Sequence, residues 1–153
     1  MCAFKYLGTM VDQNADCSRE IRARLGAARA ALRDLDCIWK DRTLAKKLNL
    51  MLLRTLVWPI AVYGCEAWTL KVADTNRLHA FETRCYRGLL HVTWRERRTN
   101  QSILQELNTD RLFILEIRRR KLRYFGHVVR ADSLCTYILQ GHLACRQTRP
   151  RSP

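Results

Sequence analysis

Residues 115–130 read LEIRRRKLRYFGHVVR, and the spacing of their side chains decides how this part of the chain folds. On a helix, polar residues at i, i+4, i+7, i+11 and i+14 share one stripe. The members are Glu116, Arg120, Arg123, His127 and Arg130, with Arg119 at the edge. The opposite side carries Ile114, Ile117, Phe125, Val128 and Val129, with Tyr124 nearby. The stretch therefore predicts an amphipathic helix with an almost purely cationic outer face.

Two interpretations of this cationic face remain open. Most charge runs are solvated helix faces, and this one can be read so. Against that reading, Glu116 is the one acid beyond the predicted first turn, whereas solubilising helices mix both signs to gain i,i+4 pairs. The alternative is contact with phosphates through guanidinium forks. Gly126 allows either close backbone approach or simple relief of packing, and packing relief is the commoner role of a lone glycine.

The composition indicates a polyanionic partner. The formal charge is +14 with a pI near 10.1, more than solubility requires, so nucleic acid is the first candidate and anionic lipid the second. Seven cysteines without regular spacing, and no apolar secretory segment, predict reduced thiols and an intracellular location, nuclear or cytoplasmic. Arg54 interrupts the most apolar run, Leu48–Cys65, Pro59 lies inside it, and its uncharged part is too short to predict a membrane span.

The remaining periodicity is mostly helical. Phe4–Gly8 and Thr9–Val11 are typical of a short strand or hairpin. A first helix is predicted over about 18–38, with Ser18 or Asp16 as its cap. Its apolar face is Ile21, Leu25, Ala28, Leu32 and Leu35. A second, central helix is predicted over about 44–57, capped by Thr43 and kinked or ended by Pro59.

The second half of the chain predicts three more helices. One begins near Asp74 or Thr75 and carries the stripe Leu78, Phe81, Cys85, Leu89 and Val92. A basic connector, Trp94–Arg98, adds Arg95, Arg97 and Arg98 as candidate phosphate contacts. Thr99 is the predicted cap of a short helix with Ile103, Leu104 and Leu107, which Asn108 ends. Thr109 is the predicted cap of the last helix, over about 110–131.

These elements predict a mainly α fold: a small bundle of about five helices with a short N-terminal strand or hairpin and a flexible basic tail. The division is 1–16 for the strand and loop, 17–133 for the helical domain and 134–153 for the tail.

No catalytic constellation is visible in the residues. Polymerase-type carboxylate pairs, phosphate-binding loops and HExxH or GxSxG motifs are absent from the sequence. Cys135, His142 and Cys145 form only a partial metal set with irregular spacing, so no metal or other cofactor is predicted. We interpret His79 and His91 as packing residues on a helix, and the four tryptophans mainly as core residues near helix ends. The chain itself predicts a basic helical module without an active site.

The order of several motifs resembles one family. They are FKYLG at 4–8, the helix ending in Trp39, VYGCEAWTL at 62–70, LHAFETRCYRGLL at 78–90, Trp94 with TN at 99–100, and RRKLRYFGHVVR at 119–130. Together they resemble the region that follows the palm in reverse transcriptases of non-LTR, LINE-like retrotransposons, often called endonuclease-reverse transcriptases. The most specific combination is Tyr-Gly-x-Glu-x-Trp with Gly-His-x-x-Arg.

The resemblance implies a thumb and connecting region that binds the backbone of RNA or an RNA–DNA duplex without sequence preference. It also implies a reverse-transcriptase palm as a candidate protein partner. Arg120, Arg123, His127 and Arg130 lie in the matching motif. The family's Tyr-x-Asp-Asp carboxylates lie upstream of FKYLG, so no polymerase activity is expected of this chain alone. Gly88 stands where the family usually has arginine, and the family's basic ending is reduced to Arg146, Arg149, Pro150 and Arg151.

Three hypotheses follow. The first is a nucleic-acid-binding fragment derived from a reverse transcriptase. The second is a non-functional structural relic whose palm-packing surface is exposed. The third is a basic protein of membrane surfaces, for which the kinked apolar helix is the support.

Overall fold

The computed structural model describes residues 3–6, 9–12, 16–41 and 43–131, with side chains described from residue 16 onward except those of residues 42 and 94. The predicted tail, and with it Cys135, His142 and Cys145, lies outside the described residues.

The described part is mainly helical, as the sequence predicts. The helices are α1 (Ser18–Asp34), α2 (Asp36–Lys40), α3 (Lys46–Leu52), α4 (Trp58–Ala61), α5 (Val72–Leu89), α6 (Asn100–Glu106) and α7 (Phe113–Arg130). A π-helical segment, Leu53–Val57, joins α3 to α4, and 3-10 turns cover Cys65–Ala67 and Trp94–Glu96. Two four-residue strands, β1 (Ala3–Tyr6) and β2 (Thr9–Asp12), pair antiparallel with Ala3 opposite Asp12.

One apolar core joins the helices. Its buried residues include the predicted α1 and α5 positions and the inner side of the central helix: Ile21, Leu25, Ala28, Leu53, Val57, Ala61, Leu78, Phe81, Cys85 and Leu89. Leu32 and Leu35 pack against this core while only partly buried. The helical period of 3.6 residues therefore located the inward faces of α1 and α5 correctly, although Val92 of the predicted α5 stripe lies beyond the end of the helix.

The predicted first helix is divided. α1 ends at Asp34, Leu35 takes the cap position, and α2 begins at Asp36. The break turns Trp39 back toward α1, where its indole Nε1 donates to the Leu32 carbonyl at 2.8 Å. Neither predicted side chain occupies the cap position of α1, which belongs to Cys17, although a carboxylate oxygen of Asp16 accepts the Ser18 N–H at 3.0 Å.

The predicted end of the central helix near residue 57 is wrong, and of the two predicted effects of Pro59, a kink or an end, the end is contradicted. The helix continues through the proline to Ala61, with Pro59 in the first turn of α4. A proline ring clashes with the carbonyl four residues earlier and lacks the N–H that this carbonyl needs. The wider π turn directly before Trp58 relieves that conflict, because it changes the hydrogen-bond register locally.

Two predicted caps are also wrong. The N-cap of α3 is Ala45, and Thr43 instead donates its N–H and hydroxyl to the Asp41 carboxylate at 2.9 and 2.6 Å, which is an Asx turn. The N-cap of α7 is Leu112 rather than Thr109.

The predicted boundaries of α6 are confirmed, since Thr99 Oγ1 accepts the Ser102 N–H at 3.2 Å and Asn108 has a φ of +46°. α5 begins at Val72, slightly before the predicted start.

Three of the four tryptophans, Trp39, Trp58 and Trp68, are buried as predicted. His79 is half-buried, whereas His91 is exposed and lies beyond the end of α5 with a φ of +52°, so its placement on a helix is corrected. Within the described residues, no helix is both long and apolar enough to cross a bilayer. No group of three or more His, Cys, Asp or Glu side chains there could hold a metal ion.

Candidate functional site

The first half of α7 is anchored in the core. Phe113 is fully buried between two aromatic rings, with its centroid 5.2 Å from that of Trp58 in an edge-on contact and 5.6 Å from that of Phe81. Ile114 and Ile117 are buried on the same side. Edge-on aromatic pairs add about 0.5–1.5 kcal/mol to the free energy of burial. The direction of α7 is therefore fixed by its first turn.

A buried carboxylate from α5 caps the start of α7. Glu82 Oε1 accepts the N–H groups of Leu112 and Phe113, both at 2.9 Å, and the Tyr86 hydroxyl at 3.0 Å. The first amides of a helix have no partner within it, and a negative charge there also favours the helix dipole. Burial, and then the charge of Glu82, raise the pKa of Tyr86 well above its usual value. A carboxylate distant in sequence thus caps the start of α7, which is the role predicted for Thr109.

The second half of α7 extends away from the core. Beyond Ile117, no residue of the helix is buried, and Leu122, Tyr124 and Phe125 are 71%, 55% and 53% exposed. The expectation that Phe125 faces the interior is therefore wrong, although Val128 and Val129 are partly covered. The helix extends past the elements on which it packs. The Lys121 ammonium donates a hydrogen bond to the Trp68 carbonyl, one residue beyond the Cys65–Ala67 turn.

The predicted polar stripe lines one open groove. The groove has a volume of about 540 Å³. Its lining residues are Glu66, Glu116, Arg120, Arg123, Tyr124, His127 and Arg130, which we call the α7 groove. All five stripe residues predicted from the helical spacing are among them, so the structure brings them together on one face.

Hydrogen bonds and packing hold two of these arginines in place. Arg120 Nε donates to Glu116 Oε1 at 3.0 Å, an i,i+4 ion pair that leaves the outer guanidinium nitrogens available. The Arg130 guanidinium folds over Gly126, with Nη1 3.5 Å from the position that a Cβ would take. That distance is ordinary van der Waals contact, so a Cβ would fit at this position and packing does not require a glycine there.

A second, adjoining groove of about 390 Å³ extends the cationic surface toward the core. It shares Glu116 and Arg120 with the α7 groove and adds Arg119 and Arg54. Arg54 Nη2 donates to Thr109 Oγ1 at 2.6 Å, and its guanidinium lies 5.6 Å from the Trp58 ring centroid. Sequence reasoning missed Arg54 as a site residue. The available signal was a lone cation inside an apolar helix, which needs a polar destination.

The connector arginines are elsewhere. Neither α7-lined groove includes Arg95, Arg97 or Arg98. Arg98 forms an ion pair with Glu106, which Lys46 also contacts at 2.6 Å. Arg97 is exposed, with a φ of +46°. The structure therefore divides the predicted site residues into two separate groups.

The electrostatics of the α7 groove are visible at a neighbouring thiol. Burial raises the pKa of Cys65 to about 11, the negative charge of Glu66 adds to this, and the positive charge of Arg120 opposes it. α7 itself contains six Arg and Lys residues and one Glu. An open groove with an excess of guanidinium donors can bind anions, and it offers no group arranged for covalent chemistry.

The chain is similar to a curated protein that is itself uncharacterized. The chain is 30% identical over 128 residues to an uncharacterized transposon-derived protein of Caenorhabditis elegans, with 82% of this chain and 46% of the relative covered. The chain thus spans about half the length of the curated relative that it matches. No protein-family model and no solved structure matches the chain. The similarity to this relative supports an origin of the chain in a transposable element.

Proposed function

We propose that the chain binds the sugar–phosphate backbone of RNA or an RNA–DNA duplex through the α7 groove, without sequence preference. The observation that carries the proposal is the gathering of Arg120, Arg123, His127 and Arg130 along one open groove. Phosphate contacts supply most of the affinity of sequence-tolerant binding, and planar guanidinium groups bind phosphate oxygens bidentately.

The placement of these residues favours a binding role over a merely solvated face. Within the described residues, α7 carries six Arg and Lys residues and one carboxylate, Glu116, whose ion pair is with Arg120. The helix is fixed in the core at one end and exposed along its second half, so the arginines are presented on a firmly held support. A long polyanion could contact successive turns without disturbing the core.

We further propose that the chain derives from the thumb region of a non-LTR retrotransposon reverse transcriptase and has no polymerase activity alone. The transposon-derived relative and the motif order from FKYLG to GHVVR support this origin. The sequence lacks the paired carboxylates that such a polymerase needs to hold two metal ions. A reverse-transcriptase palm is the proposed protein partner.

Fluorescence anisotropy over a salt series tests the binding proposal. The ligands are single-stranded RNA, an RNA–DNA duplex and anionic vesicles. Each phosphate neutralised contributes about −0.9 to the slope of log affinity against log salt. The variant carries Arg120→Glu, Arg123→Glu and Arg130→Glu, and its slope should be less steep by about 2–3 with at least about tenfold weaker duplex binding.

The matched control reverses three exposed arginines on α1: Arg19→Glu, Arg29→Glu and Arg33→Glu. It changes the net charge by the same amount, so it measures the long-range part of the effect. Equal losses in both triple variants would refute the assignment to α7. Preference for vesicles over nucleic acid would favour the membrane-surface hypothesis instead.

The exposed face of the central helix favours a second candidate, the relic with an uncovered packing surface. Its large apolar side chains Leu48, Met51, Leu56 and Ile60 are exposed, and the exposed Tyr63 follows just beyond its end. A row of this kind is typical of an interaction surface or an aggregation liability. Sedimentation velocity distinguishes the relic from the nucleic-acid-binding fragment. Self-association that Met51→Lys and Ile60→Lys abolish, in a chain that binds no nucleic acid, would support the relic.

A further inference from the structure

A third groove lies on the flank of α5 that faces the connector. It has a volume of about 460 Å³ and shares no lining residue with the two grooves beside α7. Its polar lining residues are His79, Thr83, Arg84, Arg87, Asn100 and Arg111, which we call the α5 groove. Arg111 lines it while the next residue, Leu112, lines a groove of α7, so the start of α7 separates the two surfaces.

The α5 groove has a rigidly held cation at one end. Both Nη atoms of Arg87 donate to the Arg98 carbonyl at 3.2 Å, and Nη1 also donates to the Asn100 side-chain oxygen at 3.0 Å. These partners are neutral, so the charge of the guanidinium is not cancelled. The bonds orient Arg87 without neutralising it, which is what a fixed anion-binding group requires.

Two further arginines, Arg84 and Arg111, are exposed beside it. In the described part of the chain, no carboxylate lies within ion-pair distance of Arg84, Arg87 or Arg111. The lining contains neither Asp nor Glu, unlike the α7 groove with Glu66 and Glu116. Three like charges around one concavity repel one another and gain from a shared anion.

Two carboxylates near this groove already accept hydrogen bonds: Glu82, which lines a small adjoining pocket with Thr83, Asn100 and Arg111, and Glu96 of the connector. Glu96 accepts the N–H and hydroxyl of Thr93 at 2.9 and 3.1 Å, and these bonds, with smaller contributions from Arg98 and Arg87, lower its pKa. It therefore does not bridge into the groove as a counter-ion. The interior side also has an unused polar atom, since His79 Nδ1 is buried without a hydrogen-bond partner in the described residues.

The spacing along α5 suits a chain of anions rather than one small ion. Residues 80, 83, 84 and 87 all line the groove, and they cover about two turns of one helix face, roughly 11 Å of length. Arg111 also lines the groove and comes from the segment that leads into α7. Successive phosphates of a nucleic-acid strand would meet Arg84, Arg87 and Arg111 in turn.

We infer that the α5 groove is a second phosphate-binding site, in which Arg84, Arg87 and Arg111 hold the backbone of a nucleic-acid strand on the far side of the start of α7 from the α7 groove. The inference rests on the proposed function for the identity of the ligand. It also assigns a role to the connector. The backbone carbonyl of Arg98 positions the Arg87 guanidinium, and the Arg98 side chain itself does not contact phosphate.

Arginine footprinting reads both sites in one experiment on the unmodified chain. Phenylglyoxal reacts with accessible guanidinium groups, and mass spectrometry quantifies each position with and without saturating RNA–DNA duplex. Protection of Arg84 and Arg111, with Arg19 and Arg33 on α1 unchanged, is expected. Equal modification of Arg84 and Arg111 in free and bound protein would overturn the inference. Protection of Arg120, Arg123 and Arg130 is read separately, so the failure of one proposal is distinguishable from failure of the other.

Variants supply the second test. Arg84→Glu with Arg111→Glu should reduce the salt slope by about 1–2 and weaken duplex binding by roughly tenfold. The control with Arg19→Glu and Arg33→Glu has the same net charge, and circular dichroism checks that the helix content is unchanged in both. A slope and affinity equal to those of the control would also overturn the inference. Conservative Arg84→Lys with Arg111→Lys should restore most of the affinity.

Discussion

Glu82 is the residue whose replacement best tests the architecture beneath the α7 groove. Its Oε1 accepts two α7 amides at 2.9 Å and the Tyr86 hydroxyl at 3.0 Å, while its Oε2 is buried without a partner. Glu82→Ala removes two charge-assisted hydrogen bonds of about 1.5 kcal/mol each and one of about 1 kcal/mol. Relief of the unpaired oxygen returns about 1 kcal/mol. The free energy of unfolding should therefore fall by about 3 kcal/mol.

Urea unfolding followed by tryptophan fluorescence measures this change, because three of the tryptophans are buried. Glu82→Gln keeps a neutral acceptor and should cost about half as much, since charge-assisted bonds are roughly twice as strong as neutral ones. Glu66→Ala, at a partly exposed carboxylate, is the control and should stay within about 0.5 kcal/mol of wild type. A Glu82→Ala effect no larger than that of the control would refute the capping argument.

Three further predictions concern stability and reactivity. Burial raises the pKa of Cys65 to about 11 and that of Cys85 to about 12. Neither thiol should therefore be alkylated by iodoacetamide in the folded protein at mildly alkaline pH, whereas both should react in urea. Mass spectrometry measures the extent of alkylation. The hydrogen bond from the Ser18 N–H lowers the Asp16 pKa from 3.8 to about 2. Because the pKa is lower in the folded state, the ionised carboxylate stabilises the fold above about pH 4, and this stabilisation is lost as the pH falls toward 2. The Tm difference between wild type and Asp16→Asn should therefore vanish near pH 2. Gly64 has a φ of +72°, so Gly64→Ala should lower the free energy of unfolding by about 1 kcal/mol in a urea titration.

Periodicity predicted the faces of the helices because burial of apolar side chains depends on spacing along the chain. The α1 and α5 stripes and the polar stripe of α7 all follow from this rule. The extent of cover could not be predicted in the same way. Phe125 satisfies the spacing of an inward face and is exposed, because burial also needs a neighbouring element, and α7 extends past those it packs on.

The predictions of helix ends were wrong where the group that caps the helix is remote in sequence. Thr109 has the local signature of a cap, but Glu82, 30 residues from Leu112, supplies the acceptor, and Thr109 binds Arg54 instead. The π segment before Pro59 likewise has no simple local signature. The α5 groove was missed for the same reason: Arg84 and Arg87 belong to one predicted helix and Arg111 to another, and only tertiary packing places them around one concavity.

The structure separates the residues that support α7 from those that present charge. Phe113, Ile117 and the Glu82 carboxylate fix the helix, whereas Arg123 and Arg130 are exposed. Reversing the exposed charges should therefore change binding with little effect on unfolding, since surface substitutions away from caps and core usually stay within about 0.5 kcal/mol. Replacing Glu82 should lower the free energy of unfolding and have little effect on binding, provided that binding is measured without denaturant, where the chain remains folded. A binding loss that tracked stability across both kinds of variant would mean that the arginines act only through the fold, and the proposed interface would have to be abandoned.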